Sequence, residues 1–167
     1  MKDAIVNGAK RLESTEISFM AIPCNTAHLY FPQIEKELDV PLINMIEETI
    51  KEIPNDVQKV AVLATQPTTE SNIYQNDLCK SGFTPIQEEG WQEKINLILK
   101  AIKQEDGYNQ AKNLWEELLL ELDRKVDSVV IACTDLNVLI DDSSSKSMID
   151  SSSSLAKAVV KRYYSGS

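Results

Sequence analysis

Apolar positions in this chain follow two rhythms. Short, mostly apolar runs lie at 17–22, 40–43, 57–64, 83–86 and 128–132, each closed by a proline, a cysteine or a polar residue. Runs of this length bounded by breakers read as strands buried on both faces, as in a parallel sheet. Between them apolar residues recur at helical spacing. Ile5, Ala9 and Leu12 share one face of an opening helix, and Leu29, Ile34 and Leu38 form the apolar side of a second, with Pro32 near its first turns. Asn44 is placed to cap a third helix over 45–53, which Pro54, Asn55 and Asp56 stop. Residues 65–69 read as a polar turn, and a helix over 69–80 ends at Ser81 and Gly82. Helical patterns over 91–103 and 109–122 flank Asp106 and Gly107, and an amphipathic stretch closes the chain at 155–164. Serines 143–145 and 151–154 surround a short apolar pair, Met148 and Ile149. Such serine richness reads either as a linker or as capping of the last helix with Asp150.

Strand and helix alternate, so the expected fold is α/β, with two pseudo-symmetric open parallel-sheet lobes and flanking helices. The Pro54 turn divides the chain into a first lobe of 1–54 plus 151–167 and a second of 55–150. No strand precedes the opening helix, so the first lobe is expected to be incomplete at its amino terminus. In open parallel sheets ligands bind at the carboxyl ends of strands. Chemistry is therefore sought at 24–26, 65–69 and 133–135.

Two of those places carry a cysteine. The run ending at Ile22 breaks at Pro23 and continues Cys24, Asn25, Thr26, Ala27, His28, whereas the run ending at Ala132 continues Cys133, Thr134, Asp135. A thiol between a strand end and a helix start faces unpaired N–H groups and the positive end of the helix dipole, which favour the thiolate. Two such thiols describe one site built twice. The plainer alternative is that each is a small buried hydrophobe, which is how Cys79 reads on its predicted helix.

Composition narrows the partners. A net charge of −9 without a basic run excludes a nucleic-acid face. No segment has the length of a membrane span, and the start has no signal-type apolar core, so the expected compartment is the cytoplasm. Three cysteines with no close-spaced pair point to reduced thiols and to neither a disulfide framework nor a metal knuckle.

The stretch from Pro23 to His28 resembles the first cysteine motif of the aspartate/glutamate racemase family without a substitution. The residues Ala132, Cys133, Thr134 and Asp135 are similar to the second, usually glycine-cysteine-threonine-glutamate. Thr65 and Thr68, with Tyr74 further on, resemble the threonine-bearing loop between the motifs, and Lys103 falls where many members carry a substrate-facing lysine. The resemblance implies a cofactor-independent and metal-independent racemase, with Cys24 and Cys133 as acid and base on opposite faces of an amino acid. It implies that Asn25, Thr26, Thr65, Thr68 and Thr134 bind substrate and that Lys103 takes the side-chain carboxylate. His28 would tune Cys24, contact substrate or merely pack, and Asp135 would orient Thr134 or cap the following helix. The implied partner is a small acidic amino acid or dicarboxylate, without nucleic acid or membrane, in a homodimer. Family members normally begin with further strands and a glycine-rich loop, and supply an arginine that this sequence does not match. The rival expectations are a truncated, non-catalytic remnant that oligomerises and binds a dicarboxylate, and a related thiol isomerase such as maleate isomerase.

Overall fold

The computed structural model describes residues 1–140 and 147–165. Helix α1 (Lys2–Glu13) opens the chain and leads to β1 (Met20–Ala21), a 3-10 helix (Thr26–Tyr30), α2 (Phe31–Glu35), β2 (Leu42–Ile43) and α3 (Met45–Lys51). Then follow β3 (Lys59–Ala64), α4 (Gln66–Glu70), α5 (Ile73–Lys80), β4 (Thr84–Ile86), α6 (Trp91–Ile102) and α7 (Tyr108–Asp123). Strand β5 (Ser128–Ala132), a second 3-10 helix (Thr134–Leu139), β6 (Ser147–Asp150) and α8 (Ser151–Ser165) complete it. All strand pairs among the described residues are parallel: β1 with β2 in a small sheet, and the order β4-β3-β5-β6 in a larger one. This is the expected α/β class of helix-flanked parallel sheets.

The alternation along β3 and β5 builds two cores. Ala61, Leu63, Val129, Ile131 and Cys133 face Trp91, Ile95 and Ile98 of α6 and Trp115, Leu118 and Leu122 of α7. Val60, Val62, Ala64, Val130 and Ala132 face Ile46 and Ile50 of α3 and Tyr74 and Leu78 of α5. Helix α3 thus leaves the small sheet to cover the large one, and α8 packs on α3 and β2. The small sheet repeats the scheme in miniature: Met20 and Leu42 cluster with Ala9 and Ile34, while Ile43 clusters with Met45 and Leu155.

Caps and turns account for several boundaries. The Asn44 side chain accepts from the N–H groups of Ile46 and Glu47, and the Asp150 carboxylate accepts from Ser152 and Ser153, capping α8. Gly82, at φ +89°, ends α5 in the left-handed conformation, with Phe83 N–H returning to the Leu78 carbonyl. At Gly107 a Cβ would lie 2.0 Å from the Ala101 carbonyl oxygen, so only glycine lets α7 start that close to the end of α6.

Some expectations are corrected. The strand over 17–22 shrinks to Met20–Ala21 and that over 40–43 to Leu42–Ile43. Pro23 and Pro41 stand at these strand ends without an N–H to donate. The polar turn at 65–69 is largely α4, with Pro67 in its first turn, and the helix expected over 69–80 is divided by Asn72 at φ 57°. Leu12 is 56% exposed, and Val6 takes its place beside Ile5 and Ala9. The pair Met148 and Ile149 belongs to a fourth strand of the large sheet, and serines 143–145 lie outside the described residues.

Candidate active site

The site is built where β1, β3, β5 and β6 end. Cys24 is exposed on the segment between β1 and the first 3-10 helix, and three side chains fasten that segment. Thr26 Oγ1 lies 3.1 Å from Thr65 Oγ1 and 2.9 Å from Thr68 Oγ1, and these two are 3.1 Å apart, closing a triangle of hydroxyls. Asn25, 4% exposed, receives the Tyr74 hydroxyl at 2.5 Å on Oδ1 and donates from Nδ2 to Ser151 Oγ at 3.0 Å. The His28 ring, stacked on Phe31, meets the Cys24 carbonyl with Nδ1 at 2.9 Å and accepts the Met45 N–H on Nε2 at 3.1 Å. The first residue of each of α3 and α8, and Tyr74 of α5, therefore hold the Cys24 segment. Burial pushes the Tyr74 phenol far above its ordinary value, so it serves as a neutral donor. Burial also lowers the His28 pKa, against the contrary effect of the Cys24 carbonyl, so the ring is neutral at pH 7.

Cys133 reaches the same edge by another route. Ala64 of β3 is in register with Ala132 of β5, so the next residues, Thr65 and Cys133, leave adjacent strands side by side. Neighbouring strands lie about 4.8 Å apart. Beyond β5, Ile131 pairs with Asp150, which brings the start of α8 to the same edge. The thiol is 7% exposed. Burial raises its pKa above the ordinary thiol value; N–H groups of Asp135 and Leu136 and the charge of Lys103 oppose this, while the Asp135 carboxylate adds to it. Lys103 Nζ lies 3.6 Å from Asp135 Oδ2, both side chains being substantially exposed, and Thr134 is exposed beside them.

Two expectations about this chemistry change. Neither cysteine begins an α-helix: each precedes a 3-10 helix, of five residues after Cys24 and six after Cys133, too short for a large dipole. Cys133 is consequently held as a thiol, its burial outweighing the donors around it. Thr26, Thr65 and Thr68 come together as a group, Lys103 and Asp135 gather beside Cys133, and Asn25 and His28 turn their polar atoms to the protein.

The sequence matches the Asp/Glu/Hydantoin racemase family over residues 2–159. The chain belongs to that family. It is 44% identical over 164 residues to a broad specificity amino-acid racemase, RacX, of Bacillus subtilis, spanning 98% of this chain and 72% of that protein. A glutamate racemase of Aquifex aeolicus is 27% identical over 190 residues, covering 99% of this chain and 69% of the relative. Among solved structures, the Picrophilus torridus aspartate racemase superposes with a TM-score of 0.83 at 29% identity, covering 96% of this chain and 68% of that one.

This racemase-family chain uses two residues that the motifs did not single out. Ser151 accepts from Asn25, and Asp150 caps the helix that carries Ser151 at the edge shared with Cys133. The sequence signal for them was the serine cluster, read either as a linker or, with Asp150, as a cap of the last helix. Among the described residues no group of His, Cys, Asp and Glu is arranged to hold a metal ion, and no helix is long and apolar enough to cross a membrane.

Proposed function

We propose that this chain is a racemase interconverting L- and D-aspartate or glutamate by two-cysteine acid/base chemistry without pyridoxal phosphate. One observation carries the reading: Thr26, two residues after Cys24, touches Thr65, and Thr65 stands beside Cys133 at the edge of the large sheet. The hydroxyl beside the Cys24 segment thus reaches the strand ends from which Cys133 follows, which supports a shared site.

The difficulty in this reaction is the weakly acidic Cα hydrogen. A thiolate removes it from one side and a thiol returns a proton from the other, the two exchanging roles with direction. Burial favours the thiol form of Cys133, which suits it as the proton donor, with Cys24 as its partner on the opposite face. Threonine hydroxyls and the N–H groups after each strand hold the α-carboxylate and offset the charge developing on it. Lys103 receives the side-chain carboxylate by exchanging it for Asp135. Its ammonium is a point charge, so it grips less specifically than a bidentate guanidinium. Thiols at this site must be reduced, as the cytoplasm keeps them.

The test is proton-to-deuterium exchange at Cα of D- and L-aspartate in heavy water, with Cys24→Ala and Cys133→Ala alongside. Racemisation is expected to fall at least ~1,000-fold in each variant, since removal of either proton-transfer partner stops inversion. Inactivity of the unmodified chain toward aspartate, glutamate and maleate would overturn the proposal, and dicarboxylate binding without exchange would favour a non-catalytic protein.

A further inference from the structure

His28 is 5% exposed and touches the backbone that carries the Cys24 thiol. Its two ring nitrogens meet opposite kinds of partner. A carbonyl can only accept and an amide can only donate, so Nδ1 carries the hydrogen and donates to Cys24, while the Nε2 lone pair takes the Met45 N–H. Met45 is the first residue of α3, and its side chain is fully buried. The ring therefore couples an exposed thiol segment to a rigid element. The regular structure around it is short: the strand before Cys24 has only two residues, and the following 3-10 helix has only five.

We infer that His28 is a positioning residue for Cys24, acting through the Cys24 carbonyl and only while its Nε2 is unprotonated. This rests on the racemase reading for its kinetic consequence, although its geometry does not. A proton on Nε2 would point one N–H at another, break the contact with Met45 and free the segment that aims the thiol. Misplacement of a reacting group by about 1 Å costs ~100-fold in rate, so a loosened Cys24 segment affects turnover before affinity.

The surroundings leave the ring as the titrating group. A cavity beside it is lined by Asp77 and Lys80 of α5, which are ion-paired to each other at 2.7 Å, by Asn76 and Ile73 of α5, and by Asn44 and Ile46 on the side of α3. From α2 the ring meets Phe31, from α1 the neighbouring apolar cluster receives Ile5, Val6 and Ala9, and α4 contributes the uncharged Thr68. The sign is that of a depressed histidine: positioning is complete above the ordinary value of 6.5 and is lost as pH falls through the lower value in the folded protein.

Two substitutions separate the halves of the contact. In His28→Asn the amide nitrogen falls near the place of Nδ1 and keeps donation to Cys24, whereas in His28→Gln the amide oxygen falls near Nε2 and keeps only Met45. We expect His28→Gln to lower kcat for racemisation ~10- to 100-fold with KM changed less than about 2-fold. His28→Asn, which like the protonated ring has lost Met45, should lower kcat comparably and remove the histidine step from the acid limb, leaving only the limb set by the thiols. An undiminished kcat in either variant, or an acid limb unchanged in His28→Asn, would overturn the inference. A second readout does not depend on racemase activity. In a Cys79→Ala, Cys133→Ala background, alkylation of Cys24 should change about 5-fold in both His28→Gln and His28→Asn. Were the unmodified chain inactive on every amino acid while this alkylation pattern held, the racemase reading would fail and the role of His28 would stand. Alkylation indifferent to both substitutions would overturn it.

Discussion

Cys24 and Cys133 end parallel strands in the same fold, yet the protein holds them by different means. Cys133 follows a five-residue strand in which every residue is buried, and its own side chain joins the cluster made with Trp91, Ile98 and Trp115. Cys24 follows a two-residue strand, is exposed, and is held by hydrogen bonds from Asn25, Thr26 and His28. One thiol is fixed by hydrophobic packing and the other by polar staples. The difference has a chemical consequence, since packing that fixes a sulfur also desolvates it and raises its pKa, whereas staples on the backbone leave the sulfur in water. The two sulfurs proposed to exchange a proton with substrate therefore sit in unequal surroundings.

The comparison can be broken from either end. The largest effect is expected at the packed one: Ile131→Ala, at a fully buried position of β5, should cost about 2–5 kcal/mol of stability through lost burial and a residual cavity. Denaturant unfolding would show it, and a loss under 1 kcal/mol would mean that the β5 core does not anchor Cys133. At the stapled end Asn25→Ala removes the bonds that tie Asn25 to Tyr74 and Ser151, with Thr49 and Ser151 still beside the phenol, for about 1 kcal/mol. It should also raise hydrogen exchange in the Cys24 segment while leaving β5 protected; spread of the effect into β5 would erase the distinction. The smallest effect is on titration. With Cys24 and Cys79 replaced by alanine, Cys133 should ionise with a midpoint above the ordinary 9.0. Because the folded value is the higher, its contribution to stability is complete below the unfolded value and is lost as pH rises through the folded one. A midpoint at or below 9.0 would mean that packing does not hold Cys133 as a thiol.

Much of this was legible in the chain itself, for reasons that differ by region. Strand β5 and helices α6 and α7 coincide with their sequence patterns to within a residue, because a fully buried apolar run and a long amphipathic face each have one good solution. The small-sheet strands were overestimated, since prolines limit the hydrogen-bond ladder that apolar character alone would extend. Strand β6 was hidden between serine-rich stretches, and its pairing with β5 supplies what its four residues could not announce.

For the candidate site, residue types and order sufficed to mark Cys24, Cys133 and the threonines, because local sequence decides which groups follow a strand's carboxyl end. Their protonation and their company were decided only in three dimensions. Whether a thiol is desolvated depends on α6 and α7, far from Cys133 in sequence, and whether Asn25 and His28 face a ligand or the protein depends on Tyr74, Ser151 and Met45. Hydrogen bonds and burial are properties of neighbours, and the neighbours of these residues are assembled from separate parts of the chain.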